Sequence, residues 1–241
     1  MPEQFNLRLV SREYVAKDTM EFKFRIIDNT LTFKPGQHIQ LMIPELYDKN
    51  KVEGTRFFSL ISDPADHESL SIATRLSNST FKRYLLTSDL NRAFIAFGPL
   101  GSFVAPHGEH PLLLFALGIG ITALLPILKE NTISGNRKIF LFYINNKLEE
   151  VAFASELFNL QQKHAYFNFY PYLLGGNLGL ESYRSGKPSN ESIIEVLGTD
   201  LLNVDVMMAG PPRQIYEFRK QLQSIGIPQT KTKVEIFSGY Q

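Results

Sequence analysis

The stretch that decides how the chain is interpreted is Pro111-Leu-Leu-Leu-Phe-Ala-Leu-Gly-Ile-Gly-Ile-Thr122. Its apolar run, Leu112–Leu117, has the length of one buried strand. Gly118 and Gly120 follow at once, and an apolar segment of helical length continues to Glu130. A strand that breaks on glycines and leads into a helix presents backbone N–H groups at the positive helix end, which suits a phosphate. Taken alone, the pattern is equally consistent with a structural turn.

The composition is that of a globular protein without a strong electrostatic bias. The 241 residues are 44% hydrophobic and 20% charged, with 25 Lys and Arg against 24 Asp and Glu. This balance gives no electrostatic support for a nucleic-acid partner. The absence of cysteine excludes disulfides, cysteine-bound iron–sulfur clusters and a thiol nucleophile. The five histidines show no metal-ligand spacing, so no metal is expected. The start of the chain has no signal-peptide or membrane-span pattern, and we expect a cytoplasmic protein.

Short segments that alternate apolar and polar residues fill the first half of the chain. They predict six strands, at Phe5–Val10, Thr19–Ile27, His38–Ile43, Arg56–Ser62, Ser69–Arg75 and Arg92–Phe97. One short helix is predicted before the sixth strand, from Thr80 to Leu86, because Phe81, Tyr84 and Leu85 share a face. Short strands at such intervals favour a small antiparallel barrel.

The second half alternates strands with helices. The predicted strands are Leu112–Leu117, Lys138–Ile144, Tyr166–Leu174, Val204–Met208 and Lys233–Phe237. Helices are predicted after the glycine turn, at Val151–Lys163, at Ser189–Leu197, and from Gly210 to about Ile225. Repeated strand–helix units predict a parallel sheet that binds its ligand at the carboxyl ends of the strands. We therefore expect two domains, residues 1–106 and 107–241.

Several short motifs follow one another in a fixed order. They are Pro35-Gly36-Gln37-His38, Arg56-Phe57-Phe58-Ser59, Arg75 with Asn78-Ser79-Thr80-Phe81, Gly98-Pro-Leu-Gly101-Ser-Phe103, Gly118-Ile-Gly120-Ile-Thr122, Tyr143-Ile-Asn145-Asn146, Ala209-Gly210-Pro211-Pro212 and Glu235-Ile236-Phe237. In this order they resemble the ferredoxin–NADP reductase superfamily, whose members join a flavin barrel to a pyridine-nucleotide domain. The resemblance implies a six-stranded antiparallel Greek-key barrel followed by a parallel-sheet, Rossmann-like domain.

The resemblance assigns the most specific FAD contacts to the second motif. Arg56 would hold the pyrophosphate, because its planar guanidinium matches phosphate geometry. Phe58 would offer a ring face to the isoalloxazine, and Ser59 would point its hydroxyl at flavin N5. Phenylalanine replaces the family's usual tyrosine at Phe58, so the phenol hydrogen bond is lost. A role for Phe57 and Phe58 in the barrel core is the alternative.

Other expected FAD contacts have ordinary structural alternatives. Gly36 and Gln37 resemble a turn beside the flavin, and a plain Pro-Gly turn is the alternative. Arg75, Ser79 and Thr80 resemble the segment that holds the flavin phosphates, while Ser79 and Thr80 equally suit helix caps.

The end of the chain resembles the family's terminal pair of glutamate and an aromatic residue. Glu235 would assist proton transfer. Phe237 or Tyr240 would cover one face of the flavin, and the sequence leaves the choice between the two rings open.

The motifs of the second half resemble those that bind NAD(P)H. The residues expected to contact the nucleotide are Gly118, Gly120, Thr122, Asn145, Asn146, Ala209, Gly210 and Pro211. These motifs depart from the family in four places, one of which is Ala123 in place of a proline. Leu117 replaces a glycine, Asn146 stands where arginine is frequent, and Ala209 replaces a cysteine beside the nicotinamide.

The resemblance implies an oxidoreductase of the ferredoxin–NAD(P)+ reductase type, with bound FAD and NAD(P)H as co-substrate. Electrons would pass to a separate acceptor such as a ferredoxin, a flavodoxin or an oxygenase component. A free-flavin reductase is one alternative, although Arg75 and Ser79 argue against it because a flavin substrate needs no dinucleotide cradle. A non-catalytic interaction subunit is another. The choice between NADH and NADPH stays open, because Gly175-Gly176-Asn177 follows the third strand where a Ser-Arg pair would read a 2′-phosphate.

Overall fold

The chain forms two compact units in a computed structural model that describes residues 2–135, 137–176 and 179–237. The first unit ends at Val104 and the second begins at Ala105.

The first unit is a closed antiparallel barrel. Its elements are β1 (Glu3–Ala16), β2 (Thr19–Ile26), β3 (His38–Met42), α1 (Pro44–Tyr47), β4 (Thr55–Ser59), β5 (Ser69–Arg75), α2 (Thr80–Thr87) and β6 (Ala93–Leu100). The strands lie in the order β4-β3-β6-β1-β2-β5, with antiparallel pairs throughout. A bridge between Leu60 and Ile72 and a 2.9 Å hydrogen bond from Ile61 N–H to Ser71 O join the two edge strands. The predicted six-stranded Greek-key barrel is confirmed.

The alternation of side chains explains this barrel. In β1, Phe5, Leu7 and Leu9 point inward and are fully buried, while the residues between them face out. The strand is longer than predicted because it continues through irregular pairings at Leu9/Ser11 and Tyr14/Ala16, where the apolar alternation ends. Helix α1 was not predicted, because four residues are too few to show a helical period.

The second unit is a parallel sheet with helices. Its elements are β7 (Leu112–Leu117), α3 (Ile121–Ser134), β8 (Ile139–Asn145), α4 (Ala154–Lys163), β9 (Phe167–Leu173), β10 (Arg184–Ser185), α5 (Asn190–Leu197), β11 (Asp205–Gly210), α6 (Pro212–Ser224) and β12 (Thr232–Ile236). The strands lie in the order β10-β9-β8-β7-β11-β12 and pair in parallel. The predicted Rossmann-like sheet is confirmed.

The order of the strands locates the crevice of this sheet. The chain runs from β7 outward through β8 to β10 and then returns to the other side of β7 with β11. The carboxyl ends of β7 and β11 therefore lie at the point where the strand order reverses, which is where open α/β sheets bind their ligands. Every residue of β7 is buried, as its uninterrupted apolar run predicts.

Candidate functional site

The turn that carries Gly36 and Gln37 is tied to a second loop of the barrel. Gly36 has a φ of 94°, a backbone conformation that glycine adopts readily. The Gln37 side chain accepts a 2.8 Å hydrogen bond from Lys34 N–H and donates one of 3.1 Å to Gly101 O. Gln37 therefore positions the Gly98–Phe103 segment. Its expected contact with the flavin stays a prediction.

Three residues meet next to this turn. The His38 imidazole lies edge-on to the Phe57 ring, with ring centres 5.7 Å apart and an interplanar angle of 88°. A Cβ atom on Gly101 would come within 2.8 Å of His38 Nδ1, so glycine is required there for the imidazole to fit. Burial lowers the pKa of His38 below its ordinary value. An imidazole with a lowered pKa is neutral at neutral pH.

The two phenylalanines of the second motif have different surroundings. Phe58 is only 8% exposed and belongs to the barrel core, where its ring centre lies 5.9 Å from that of Phe81. Phe57 is 62% exposed. The barrel-core alternative is thus correct for Phe58 and wrong for Phe57, because alternate strand residues point to opposite faces. Stacking of Phe58 on the isoalloxazine stays a prediction.

Three cationic side chains interact near the start of α2, and one of them lies over the Phe81 ring. The guanidinium carbon of Arg56 lies 5.6 Å from the centre of that ring. Lys82 Nζ donates a 2.7 Å hydrogen bond to Arg75 O, which joins the start of α2 to the end of β5. We call Arg56, Arg75 and Lys82 the phosphate cluster.

The charges of the phosphate cluster act on one another. Burial, together with the positive charges of Arg56 and Arg75, lowers the pKa of Lys82 to about 8. Cations held together in this way raise each other's free energy, and an anion placed among them would relieve that cost. Sequence reasoning missed Lys82, because a lysine in the first turn of a short amphipathic helix ordinarily indicates a solvated face.

Ser79 and Thr80 lie at the start of α2. Ser79 is the N-cap residue, and its Oγ accepts a 3.3 Å hydrogen bond from Lys82 N–H. Ser79 therefore caps helix α2, which is one of the two roles expected for it. Thr80 is the first residue of the helix. Contacts of either hydroxyl with a phosphate stay predictions.

Ser59 ends β4 close to the two loops already described. It is buried, and it lies opposite His38 in the β3–β4 pair. Strand pairing thus brings the serine expected at flavin N5 beside the imidazole.

In the second unit, the glycine turn packs directly on the end of β11. A Cβ atom on Gly120 would lie 2.0 Å from Ala209 O, and one on Gly210 would lie 2.5 Å from Leu117 Cβ. Only glycine fits at these two positions unless the backbone moves. The structure therefore brings together two motifs that are about 90 residues apart in the sequence.

The remaining residues of the glycine turn begin helix α3. Gly118–Gly120 form a 3₁₀ turn that continues into α3 at Ile121, as the sequence predicts. The Thr122 hydroxyl is buried and donates a 2.9 Å hydrogen bond to Ile119 O. Thr122 therefore closes the first turn of the helix, and its expected contact with the nucleotide stays a prediction.

Asn145 and Asn146 follow each other at the carboxyl end of β8. The Asn145 side chain is only 3% exposed, and neither its Nδ2 nor its Oδ1 has a hydrogen-bond partner among the residues that the structure describes. A buried amide without hydrogen-bond partners lowers the free energy of unfolding by about 1–3 kcal/mol, so the Asn145 side chain destabilises the fold. Asn146 is exposed, and its carbonyl accepts a 2.9 Å hydrogen bond from Gly175 N–H.

The end of β12 lies beside the end of β11. Glu235 is opposite Ala209 in this pair, and Phe237 N–H donates a 3.0 Å hydrogen bond to Gly210 O. Burial raises the pKa of Glu235 above its ordinary value. Pro211 is the N-cap residue of α6. Tyr240, the alternative flavin cover, lies outside the described residues.

Within 2–135, 137–176 and 179–237, His, Asp and Glu side chains form no group of three that could hold a metal ion. No helix in that same part of the chain is both long and apolar enough to cross a membrane.

Comparisons with known proteins agree with this geometry. Residues 6–105 match the family model described as oxidoreductase FAD-binding domain. A ferredoxin reductase component of 3-ketosteroid-9-alpha-monooxygenase from Rhodococcus rhodochrous is 26% identical over 226 residues, 92% of this chain and 61% of that protein. A flavohemoprotein from Pseudomonas putida is 25% identical over 95% of this chain and 58% of its own length. The chain thus spans about three fifths of the length of these relatives.

Solved structures with the same fold cover nearly the whole chain. The cytochrome P450 reductase GcoB from Amycolatopsis has a TM-score of 0.84 at 19% identity, over 98% of this chain and 70% of that one. The FAD/NAD-binding domain of nitric oxide dioxygenase from Vibrio cholerae has a TM-score of 0.83 at 18% identity, over 97% and 98% of the two chains.

An antiparallel barrel followed by a parallel sheet with a glycine turn is the architecture of two-unit flavin and nucleotide oxidoreductases. The first unit matches their FAD-binding domain, and the complete fold matches their reductase structures. Residues 6–105 thus match an oxidoreductase FAD-binding domain, and the chain has the fold of these reductase structures.

Proposed function

We propose that this protein is an NAD(P)H-dependent reductase that holds FAD in its barrel and passes electrons to a separate acceptor protein. Residues 1–106 would be the FAD domain and residues 107–241 the nucleotide domain. The acceptor would be a ferredoxin, a flavodoxin or an oxygenase component, as the names of the relatives suggest. A cytoplasmic location is part of the same proposal.

The phosphate cluster is the observation that carries this proposal. Arg56 lies over the Phe81 ring, which is next to that of Phe58, and the charges of Arg56 and Arg75 act on Lys82. A flavin dinucleotide combines a doubly charged pyrophosphate with flat ring systems, so the residues present fit FAD. Riboflavin has no phosphate and would leave the cluster without an anion.

Each residue of the barrel site has a chemical role in this proposal. Arg56 and Lys82 would bind the pyrophosphate oxygens through charge-assisted hydrogen bonds, which are stronger than neutral ones. Ser59 would donate its hydroxyl hydrogen to the flavin ring nitrogen that receives hydride. His38 would fix the position of the Phe57 ring at the rim of the site, because the two rings are in edge contact.

The nucleotide domain would bind reduced pyridine nucleotide at the crevice between β7 and β11. The glycine turn allows a pyrophosphate to approach the start of α3 closely, since Gly118 and Gly120 have no side chains. The buried Asn145 amide would gain a hydrogen-bond partner when the nucleotide binds. Glu235 would hold or release a proton, as its raised pKa suggests. When bound, FAD accepts hydride from the nicotinamide and can release the electrons one at a time.

The test begins with the protein purified in excess FAD. We expect a yellow protein that binds one FAD per chain by calorimetry and binds riboflavin at least about tenfold more weakly. Equal affinity for FAD and riboflavin would instead favour a free-flavin reductase. The absence of any flavin binding would favour a non-catalytic subunit.

Electron transfer is tested by anaerobic stopped-flow mixing with NADH and with NADPH. Either nucleotide should bleach the flavin, and Ser59→Ala should slow bleaching with little change in nucleotide affinity. A matched control is Ser11→Ala on the barrel strand β1, outside the flavin site, which should leave the rate unchanged. A Ser59→Ala rate equal to that of the wild type would remove Ser59 from the mechanism.

A further inference from the structure

A groove on the outer surface of the barrel contains features that the proposed reductase function does not use. Its volume is about 460 Å³, and its lining residues are Arg8, Val10, Arg25, Ile27, Leu90 and Asn91. This volume is within the usual range of small-molecule sites, roughly 300–1,000 Å³. The lining includes two arginines and no carboxylate.

The two arginines face each other across neighbouring strands. Arg8 of β1 and Arg25 of β2 are directly opposite in the antiparallel pair, and both are exposed. Like charges in this arrangement destabilise a sheet. Among the described residues, no carboxylate lies within ion-pair distance of either guanidinium. An anion bound between the two side chains would offset their repulsion.

One wall of the groove is held in place by hydrogen bonds. Arg8 Nη1 donates a 2.8 Å hydrogen bond to Asn91 O, and Asn91 N–H donates one of 2.7 Å to Leu9 O. The loop that carries Leu90 is therefore fixed to β1. Asn91 has a φ of 68°, which gives this loop its sharp turn.

The rest of the lining is apolar and accessible. Val10 is 37% exposed, Ile27 is 52% exposed and Leu90 is 56% exposed. Apolar side chains gathered around a concave surface favour contact with a hydrocarbon group. The groove thus combines an anion-binding end with an apolar body.

We propose that this groove binds a small amphipathic carboxylate, with the acid group between Arg8 and Arg25 and the hydrocarbon against Val10, Ile27 and Leu90. Arginine suits this role because its planar donors match a carboxylate in a bidentate manner. The apolar residues would then exclude water from the charged pair. The proposal is independent of the reductase function, because it uses none of the residues assigned to the flavin or the nucleotide.

The experiment uses the full chain and three matched probes in calorimetry at low salt. Octanoate carries both the acid and the hydrocarbon, acetate lacks the hydrocarbon, and 1-octanol lacks the charge. We expect octanoate to bind saturably at one site per chain, with acetate and 1-octanol at least about tenfold weaker.

Variants then assign the binding to the groove. Arg25→Gln should weaken octanoate binding at least about tenfold, and Leu90→Ser at least about threefold. Lys23→Gln is the matched control, because Lys23 is exposed on the same strand but does not line the groove. The control should change the affinity by less than about twofold. Thermal unfolding of each variant establishes that the barrel is intact.

Four results would overturn the proposal. Octanoate that fails to saturate by about 10 mM would exclude a specific site. Equal binding by Arg25→Gln and Lys23→Gln would place the octanoate elsewhere. Equal affinity for octanoate and 1-octanol would show that the arginines do not take part, and an acidic peptide that binds where octanoate does not would assign the groove to a protein partner instead.

Discussion

The guanidinium carbon of Arg56 lies 5.6 Å from the centre of the Phe81 ring. Both hydrogen bonds that Arg56 makes to described residues use Nη1, which donates to Val52 O and Thr55 O at 2.6 and 2.7 Å. Its Nε and Nη2 donors therefore face no acceptor in the described part of the chain. The Arg56 side chain of β4 thus lies on the Phe81 ring of α2, and its two hydrogen bonds hold it there.

Changing Arg56 to Ala should weaken FAD binding, because charge-assisted hydrogen bonds to the pyrophosphate are lost. Such bonds contribute about 1.5–3 kcal/mol, which corresponds to an increase in Kd of about ten- to 150-fold. Calorimetry of the flavin-free protein with FAD measures this. Arg83→Ala is the matched control, since Arg83 is exposed on the same helix as Phe81. Equal Kd values for the two variants would contradict the assignment of Arg56.

FAD binding should depend on pH through Lys82. The pKa of Lys82 is lowered to about 8 by burial and by the two arginines, so the free site loses a positive charge as the pH rises through 8. The Kd for FAD should therefore increase between about pH 7 and 9.5 in the wild type. The same titration with Lys82→Gln should lack this increase. Parallel curves for the two proteins would show that Lys82 does not bind the phosphate.

A rise in pH through the pKa of Lys82 weakens FAD binding, but it should stabilise the fold of the flavin-free protein. The pKa of Lys82 is lower in the folded state than its ordinary value of 10.5, so the unfolded state binds more protons between about pH 8 and 10.5. The lysine therefore destabilises the fold below pH 8, and this penalty disappears as the pH rises to 10.5. Thermal unfolding of Lys82→Gln without flavin should show a higher Tm than the wild type at pH 7, and the difference should vanish near pH 10.5.

Asn145→Leu should weaken nucleotide binding without lowering the stability of the fold. Replacing a buried amide that lacks partners by an apolar side chain of similar size removes a desolvation penalty of about 1–3 kcal/mol, so Tm should stay equal or rise. The Kd for NAD(P)H should increase about tenfold, because the hydrogen bonds to the nucleotide are lost. Asn168→Leu, at the opposite end of the neighbouring strand β9, is the control. A lower Tm with unchanged nucleotide binding would make the Asn145 amide a structural group.

Phe237 and Tyr240 remain the two candidates for a ring that covers the flavin. Phe237→Ser should tighten nucleotide binding about two- to tenfold and change the flavin spectrum, because a stacked ring no longer competes with the nicotinamide. Removal of residues 238–241 is the comparison, and it should do little if Phe237 is the cover. The opposite pattern would assign the role to Tyr240. If neither change alters binding or spectrum, no ring from the chain end covers the flavin.

The sequence by itself determined the architecture of both units, because the signals involved are local and periodic. Alternation with a period of two marked the six strands of the barrel, and the uninterrupted apolar run Leu112–Leu117 marked the central strand of the sheet. The bounds of that strand and of Ser69–Arg75 agree with the structure residue by residue. The two-residue strand β10 was missed, because it is too short to have a period.

The tertiary structure alone decided which side chains meet, because packing between distant segments has no local signature. The inward and outward positions of Phe58 and Phe57 depend on which face of β4 the barrel closes over. Lys82 joins Arg56 only because α2 packs against β4, and the burial that follows lowers its pKa. In the second unit, the contact between Gly120 and Ala209 exists because parallel strands far apart in the sequence end at the same edge of one sheet. A local sequence pattern thus shows whether a segment is a strand or a helix, and only the tertiary structure decides which other segments it contacts.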